Sequence, residues 1–329
     1  MAGNTTSNSD PVVRALVHSN LMLEVLKDDF LPVGIHRDVT DFGDGNQIQI
    51  PTIGEMALFD LTEGQPTPTS AIDTGKIFLS ITDHVGVAGY ISDELKEDGY
   101  KAAAVESQIV PESLRAIKER FETDLLSTAI STTNGMVTLG DPNAVNGFDH
   151  RWIADGLNNT ITLEDFIHAK LAFDKANVPD AGRIALVDPI VEASLNTLAN
   201  LVNVSNNPQF EGMVTKGFAR DRKFVRNIFG FDIYVSNRLP RIASESITSV
   251  SAPGAASITG GVNNIFMSIA GDTTKPFMGA MRRMPRVEGD RNVSERRDEF
   301  HTTARWGFAM QRGESLISII TSETDYVTA

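Results

Sequence analysis

The chain has no cysteine in its 329 residues. That excludes disulfides, a thiolate nucleophile and zinc–thiolate sites, and it leaves the redox compartment open. Histidine is sparse. The six, at 18, 36, 84, 150, 168 and 301, are scattered, with no two in helical ligand spacing and no HExxH. GxSxG, the P-loop pattern and GxGxxG are also missing. No apolar run approaches the ~20 residues that a membrane-spanning helix needs. The start, MAGNTTSNSD, lacks the basic and apolar regions of a signal peptide, so none is expected. Only two tryptophans occur, Trp152 and Trp306, far apart, and most other aromatics are phenylalanine. That is not the aromatic array on a basic strand that stacks single-stranded nucleic acid. There is no internal repeat. No catalytic, cofactor or metal residue set is expected.

What is present is acidic and globular. Apolar residues make up 41% and charged residues 22%, ordinary for a folded protein. The length exceeds the size at which one core usually stops growing, roughly 250–300 residues, so two domains are expected. The formal net charge of −14 argues against tight nucleic-acid binding by the chain as a whole. The charge is uneven. Residues 1–110 hold 17 acidic and 6 basic side chains, while residues 275–312 hold 9 basic and 5 acidic. That split suits solubility, or an acidic front of one copy meeting a basic back of another.

The polar stretch EGQPTPTSAIDTGK at 63–76 is flanked by NQIQIPTIGEMALFD and KIFLSITDHVGVAGY. Ile48 and Ile50 alternate with glutamines, and Ile77, Leu79, Ile81, Val85 and Val87 share one parity, so both flanks read as strands. Two strands of twelve to fifteen residues would reach roughly 40–50 Å. An isolated hairpin is marginal in water and exposes two unpaired edges, so some surface must cover it. No further adjacent strand is expected from the chain immediately after it. The tip is read as a stiff turn from Pro66 and Pro68, with little exposed apolar surface.

Residues 1–10 read as disordered and 11–30 as a short helix or partly helical arm. The stretch 101–130 reads as a long helix, with Leu114, Ile117, Phe121 and Leu125 on one stripe and Arg115, Lys118, Glu119 and Glu122 on other faces. Pro111 should kink it or open a second helix. Thr162 and Asp165 form a variant capping box before LEDFIHAKLAFDKA. RIALV after Gly182 is a buried-strand run, and Asp188–Pro189 sits at a helix start. FGFDIYVSN and NIFMSIA read as strands. Residues 241–262, rich in Ser, Ala and Gly, read as a surface loop. Thr302 to Met310 alternate as a strand, QRGE turns the chain, and SLISIITS is another strand. MRRMPRVEGDRNVSERR is too charged for a buried strand.

Three features invite chemical readings. Asp83–His84 could be half of a dyad, but a lone pair in a strand is read as structural. DFGDGN at 41–46 lacks the alternating oxygen ligands of a calcium loop and is read as a turn. Arg282, Arg283 and Arg286 fit three roles: binding phosphate, pairing with acidic surface on a neighbour, or simple solvation.

The order of elements resembles the major capsid protein of tailed bacteriophages, the Hong Kong 97-like fold. TEGQ, ITDHVGVAGYISDEL, GRIALVDPIVEASL and ARWGFAMQRGESLISI look like that family. The resemblance implies an α+β fold with an N-terminal arm at 1–41, an extended hairpin loop at 42–92 and a spine helix of the peripheral domain at 93–137. An α/β axial domain follows at 138–272, and peripheral strands at 273–329. It implies no enzyme and no cofactor. It implies a head protein that self-assembles into pentamers and hexamers of an icosahedral shell around double-stranded DNA, held without sequence-specific contacts. It further implies procapsid maturation, location in the virion, assembly in the host cytoplasm and no membrane. Scaffolding and portal proteins are the expected partners, with a decoration protein as a further candidate. The short arm points to a separate scaffolding protein. Lys76 at the loop base has no assignable partner, so no covalent crosslink is expected. Contacts between subunits are expected at Glu63, Gln65, Pro66, Pro68, Lys76, Arg282, Arg283 and Arg286. The competing expectations are an encapsulin-type nanocompartment shell of the same fold and an acidic α/β enzyme with a hairpin lid.

Overall fold

Buried apolar runs and alternating strands organise the chain into three sheets. The structure is a computed structural model. It describes residues 31, 34–40, 45–54, 58–66, 69, 71–72, 74–98, 102–131, 137–197 and 224–326. The strands are β1 (His36–Asp38), β2 (Gln47–Ile53), β3 (Thr74–Ser80) and β4 (Asp83–Ser92), then helices α1 (Asp93–Asp98) and α2 (Ala102–Ser127). After them come β5 (Arg151–Ile153), α3 (Leu163–Lys175), β6 (Arg183–Val187), α4 (Pro189–Thr197), β7 (Phe224–Ile228) and β8 (Phe231–Val235). The last are β9 (Arg241–Ser246), β10 (Ser257–Ser268), β11 (Phe277–Asn292), β12 (Arg297–Met310) and β13 (Leu316–Ser322). The expected helix over 11–30 and the turn at 41–44 lie outside the described residues.

The largest sheet orders its strands β5-β13-β10-β6-β8-β7, with β9 on β10. β6 is buried at all five positions, as an apolar run covered on both faces must be. Ala185 and Val187 face one layer, with Phe166, Ala169, Phe173 from α3 and Val191, Leu195 from α4. Ile184 and Leu186 face the other, with Ile117, Leu125 and Leu126 of α2 and Phe277, Trp306, Phe308 and Met310 of β11 and β12. The central sheet is therefore sandwiched between two helices and a second sheet. That second sheet orders β1-β11-β12-β4. Phe121 meets Trp306 and Phe308 edge to face, with ring centroids 5.4 and 4.9 Å apart.

The local start signals behave as expected. The Thr162 side chain accepts the Asp165 N–H, and the Asp165 carboxylate accepts the Thr162 N–H at 2.8 Å. The Asp188 carboxylate accepts the Ile190 N–H at 3.1 Å at the start of α4. α2 continues through Pro111 as one helix.

Several expectations are corrected. The residues after the polar loop do not form one strand. β3 pairs with β2, and the chain then breaks at Ile81, whose N–H donates to Asn46 O at 2.8 Å. β4 pairs antiparallel with β12, from Asp83 opposite Trp306 to Ser92 opposite Arg297. The free ribbon is thus seven residues a side, roughly 23 Å, rather than 40–50 Å. Residues 241–262 are not a surface loop, because β9 and most of the first half of β10 lie within them. Small residues hid the strand but suit its packing: a Cβ on Gly261 would lie 2.8 Å from Ile320 Cγ2. Asn264, fully buried on β10, accepts the Asp188 N–H at 2.9 Å and donates to Ile319 O at 3.1 Å. The charged segment 281–297 forms no buried strand, as expected, but most of it is exposed strand. β11 carries it with alternate residues exposed, and Pro285 falls at an irregularity between Arg283 and Arg286. Glu122 is not on a solvent face of α2 but buried. β13 lies in the central sheet, between β5 and β10, rather than beside β11 and β12.

Two predictions follow from this packing. A Cβ on Gly307 would lie 2.1 Å from Ser80 O and 2.8 Å from Ile81 Cα, both backbone atoms that cannot swing away. Gly307→Ala is expected to destabilise the chain by about 2–3 kcal/mol in chemical denaturation, because the base of the ribbon must lift off β12. Asp165 is fully buried, and burial raises its carboxyl from 3.8 to about 6, against hydrogen bonds from Trp152 Nε1 and Thr162. The folded chain therefore holds this proton more tightly than the unfolded chain. The stabilisation is full below about pH 4 and is lost as pH rises through about 6. Burial lowers His150 and His168, which gives the opposite slope: stability falls as pH drops through their usual range. Subtracting the stability profile of Asp165→Asn from that of the wild type should isolate the Asp165 slope between about pH 4 and 6.

Candidate assembly surfaces

The β2–β3 ribbon is anchored only at its base. Leu79 and Ile81 are buried there against Met278, Ala280 and Ala309 of the four-stranded sheet, with Val39, Ile48, Ile50 and Ile77 partly covered around them. Beyond that seat the side chains emerge into solvent. Leu58 is 96% exposed, Ile53 75%, Leu61 71%, Ile72 55% and Phe59 40%. Four of these precede the polar tip at 63–76, and only Ile72 lies within it. In the sequence, the flank before the tip reads as part of a strand, which does not by itself show that its apolar side chains stay exposed. The signal was MALFDL itself, an apolar cluster; among its described residues, 58–61, none lies in a strand.

At the tip, Glu63, Gln65 and Pro66 are exposed on a turn, and the Gln65 N–H donates to Thr62 O at 3.2 Å. Gly64 makes the turn at φ +80°, where a side chain would be strained. Lys76 sits opposite Pro51 toward the outer end of β3, with its ammonium 5.2 Å from the Phe78 ring centroid. Pro68 lies outside the described residues. The ribbon carries acidic Asp60 and Glu63 at its exposed end.

The arginines form a second surface, on β11. Arg283 and Arg286 both reach Glu288 Oε1, at 3.2 Å each, so one carboxylate answers two guanidinium groups. Arg282 and Arg286 are exposed on the same strand. Across the ladder, Arg283 pairs in register with Arg305 of β12, and Arg305 with His84 of β4. Such exposed ion pairs contribute little to stability.

The far end of β11 and β12 is different. Arg291 grips Asp93 with two bonds of 2.7 and 2.8 Å and Asp298 with one of 2.8 Å, and Lys96 also pairs with Asp298. Arg297 pairs with Glu299 at 2.7 Å and lies 4.6 Å from the Tyr90 ring centroid. The Arg297 bond, with those from Asn292 and His301, pulls the Glu299 carboxyl down to about 2. Hydrogen bonds from Lys96 and Arg291 lower Asp298, and one from Arg291 lowers Asp93. These cations are neutralised within the chain.

Asp83 and His84, the one catalytic pair the sequence suggests, are not brought together. Asp83 and His84 point to opposite faces of β4, as successive strand residues must. Burial, then nearby Asp124, raises the Asp83 carboxyl, while His84 is exposed opposite Arg305. Among the described residues no cluster of His, Asp or Glu could hold a metal ion, and no helix is long and apolar enough to cross a membrane.

The comparisons with known proteins agree with this geometry. No curated protein matches the chain in sequence. Solved structures share its fold. A structure of Mycobacterium phage Che8 is 15% identical, with TM-score 0.63, over 94% of this chain and 98% of its own. The capsid of cyanophage P-SCSP1u is 15% identical, with TM-score 0.68, over 94% and 93%. The capsid of Ralstonia phage GP4 is 11% identical, with TM-score 0.62, over all of both chains. The profile of the phage capsid protein family matches residues 80–316, well over half of the sequence. With its Hong Kong 97-like fold, the chain belongs to the phage capsid protein family, as a major shell protein of the virion.

Proposed function

We propose that the chain builds its shell as pentamers and hexamers in which each copy's β2–β3 ribbon lies over a neighbouring copy. The observation that carries this reading is the row of exposed apolar side chains, Ile53, Leu58, Phe59, Leu61 and Ile72, on an arm seated only at its base. Monomers rarely leave so large an apolar arm in water unless another surface covers it. The receiving surface we favour is the arginine row of the four-stranded sheet. Asp60 and Glu63 on the ribbon are of opposite sign to Arg282, Arg283 and Arg286, and one Glu288 between Arg283 and Arg286 leaves positive charge for them. Glu63, Gln65, Pro66, Pro68 and Lys76 then serve as contact residues around the apolar centre. Each copy gives an arm and receives one, a heterologous contact that closes by rotation.

The shell encloses double-stranded DNA, and its acidic chain confines that DNA without reading sequence. No catalytic role belongs to this reading. Assembly takes place in the host cytoplasm with a separate scaffolding protein and a portal protein, and a decoration protein fits the outer surface. The arm, extended loop, spine helix, axial domain and peripheral domain divide at 41/42, 92/93, 137/138 and 272/273, with β13 contributed to the axial sheet.

Two variants test the arm. Deleting residues 64–74, or replacing Leu58, Phe59 and Leu61 together by Ser, removes only exposed groups among the described residues. Each should leave the subunit's unfolding free energy within about 1 kcal/mol. Electron microscopy after co-expression with the scaffolding protein should then show no closed shells. Normal particles from either variant would refute the role given to the arm.

A further inference from the structure

We infer that Glu122 is a coupling residue: through its two carboxylate oxygens, the seating of the chain at Leu31 and the seating of the central sheet at Arg238 depend on each other. Three distant parts of the sequence meet there. Oε1 accepts the backbone N–H of Leu31 at 2.5 Å, 91 positions away. Oε2 accepts Arg238 Nη1 at 2.8 Å, from the segment that joins β8 to β9. Glu122 itself belongs to α2, and its side chain is only 12% exposed. Leu31 and Ile35 are buried in the same core as Ile117 and Leu125 of α2, so the amide is delivered by apolar packing.

A buried carboxylate needs both partners. With one removed, its charge is under-compensated, and it gains by turning toward water. That turn would strand the other partner. Each contact therefore strengthens the other, although Leu31 and Arg238 lie far apart in the sequence. The surroundings supply a second arrangement. The other terminal nitrogen of Arg238 lies 3.5 Å from Glu119, one turn earlier on the helix and 42% exposed. Glu119 is also held by Arg115 at 3.2 Å. Arg238 thus faces two carboxylates on one helix, one buried and one near water. Transfer from Glu122 to Glu119 would release the Leu31 amide while keeping the guanidinium paired. A discrete pair of states of this kind is what physical coupling requires.

The test is hydrogen exchange on the full-length chain, comparing the Leu31 amide with amides of β13 in the central sheet. Arg238→Met touches neither. It is expected to speed exchange at Leu31 roughly ten- to hundredfold relative to β13, the range for losing a charged hydrogen bond. Glu119→Gln, which leaves the Glu122 contacts intact, should change Leu31 by less than about twofold. If Arg238→Met does not fold, Arg238→Lys replaces it, with a smaller but still selective rise at Leu31. Unchanged exchange at Leu31, or an equal rise at Leu31 and β13, would overturn the coupling. The test reads the subunit alone, so its outcome is separate from that of the ribbon variants.

Discussion

The structure depends on one shared apolar layer between its two main sheets. Ile184 and Leu186 of the central sheet meet Trp306, Phe308 and Met310 of the second sheet, with Ile117, Leu125 and Leu126 of α2 filling the join. Burying such side chains is the dominant favourable term in folding, and close packing makes the layer transmit displacements. The helix is held from both sides. Asp124 of α2 accepts Trp306 Nε1 at 3.2 Å, and Glu122 binds Arg238 from the opposite layer. Because β13 returns to the central sheet after β12 has crossed the second, the two layers are also joined by the chain itself.

That rigid body presents one element that it does not complete. The β2–β3 ribbon shares its base with the core but leaves its apolar outer half in water. The close approach of Gly307 to Ser80 and Ile81 shows how firmly the base is set, since no side chain fits between the ribbon and β12. A firm base with an uncovered outer half is the arrangement expected of a subunit whose folding ends in a larger assembly.

Charge is distributed on the same plan. At the far end of β11 and β12, where β4 also pairs, arginines and carboxylates neutralise one another within the chain. Nearer the core, Arg283 and Arg286 share a single carboxylate, and the surface stays positive. The chain is acidic overall, yet these arginines cluster on one strand.

Much of this was legible in the residues. The capping box at Thr162 and Asp165, the buried run RIALV and the helix start at Asp188 depend on neighbours a few positions away, so local spacing was enough. The element order was enough to suggest the family. Other features were decided by partners far along the chain. Residues 241–262 became strands because Ile320, Ile258 and Asn264 pack and bond across the sheet, not because Ser, Ala and Gly favour extension. Glu122 became buried because Leu31 and Arg238 came to it. The break at Ile81 and the exposed flanks of the ribbon arose because β4 had a better partner in β12 than in the ribbon. The sequence by itself determined which segments could be helices or strands and that the chain carries an acidic, cysteine-free shell fold. Tertiary structure alone decided which polar groups would be buried and which apolar ones would be left exposed, because burial depends on what the rest of the chain brings into contact.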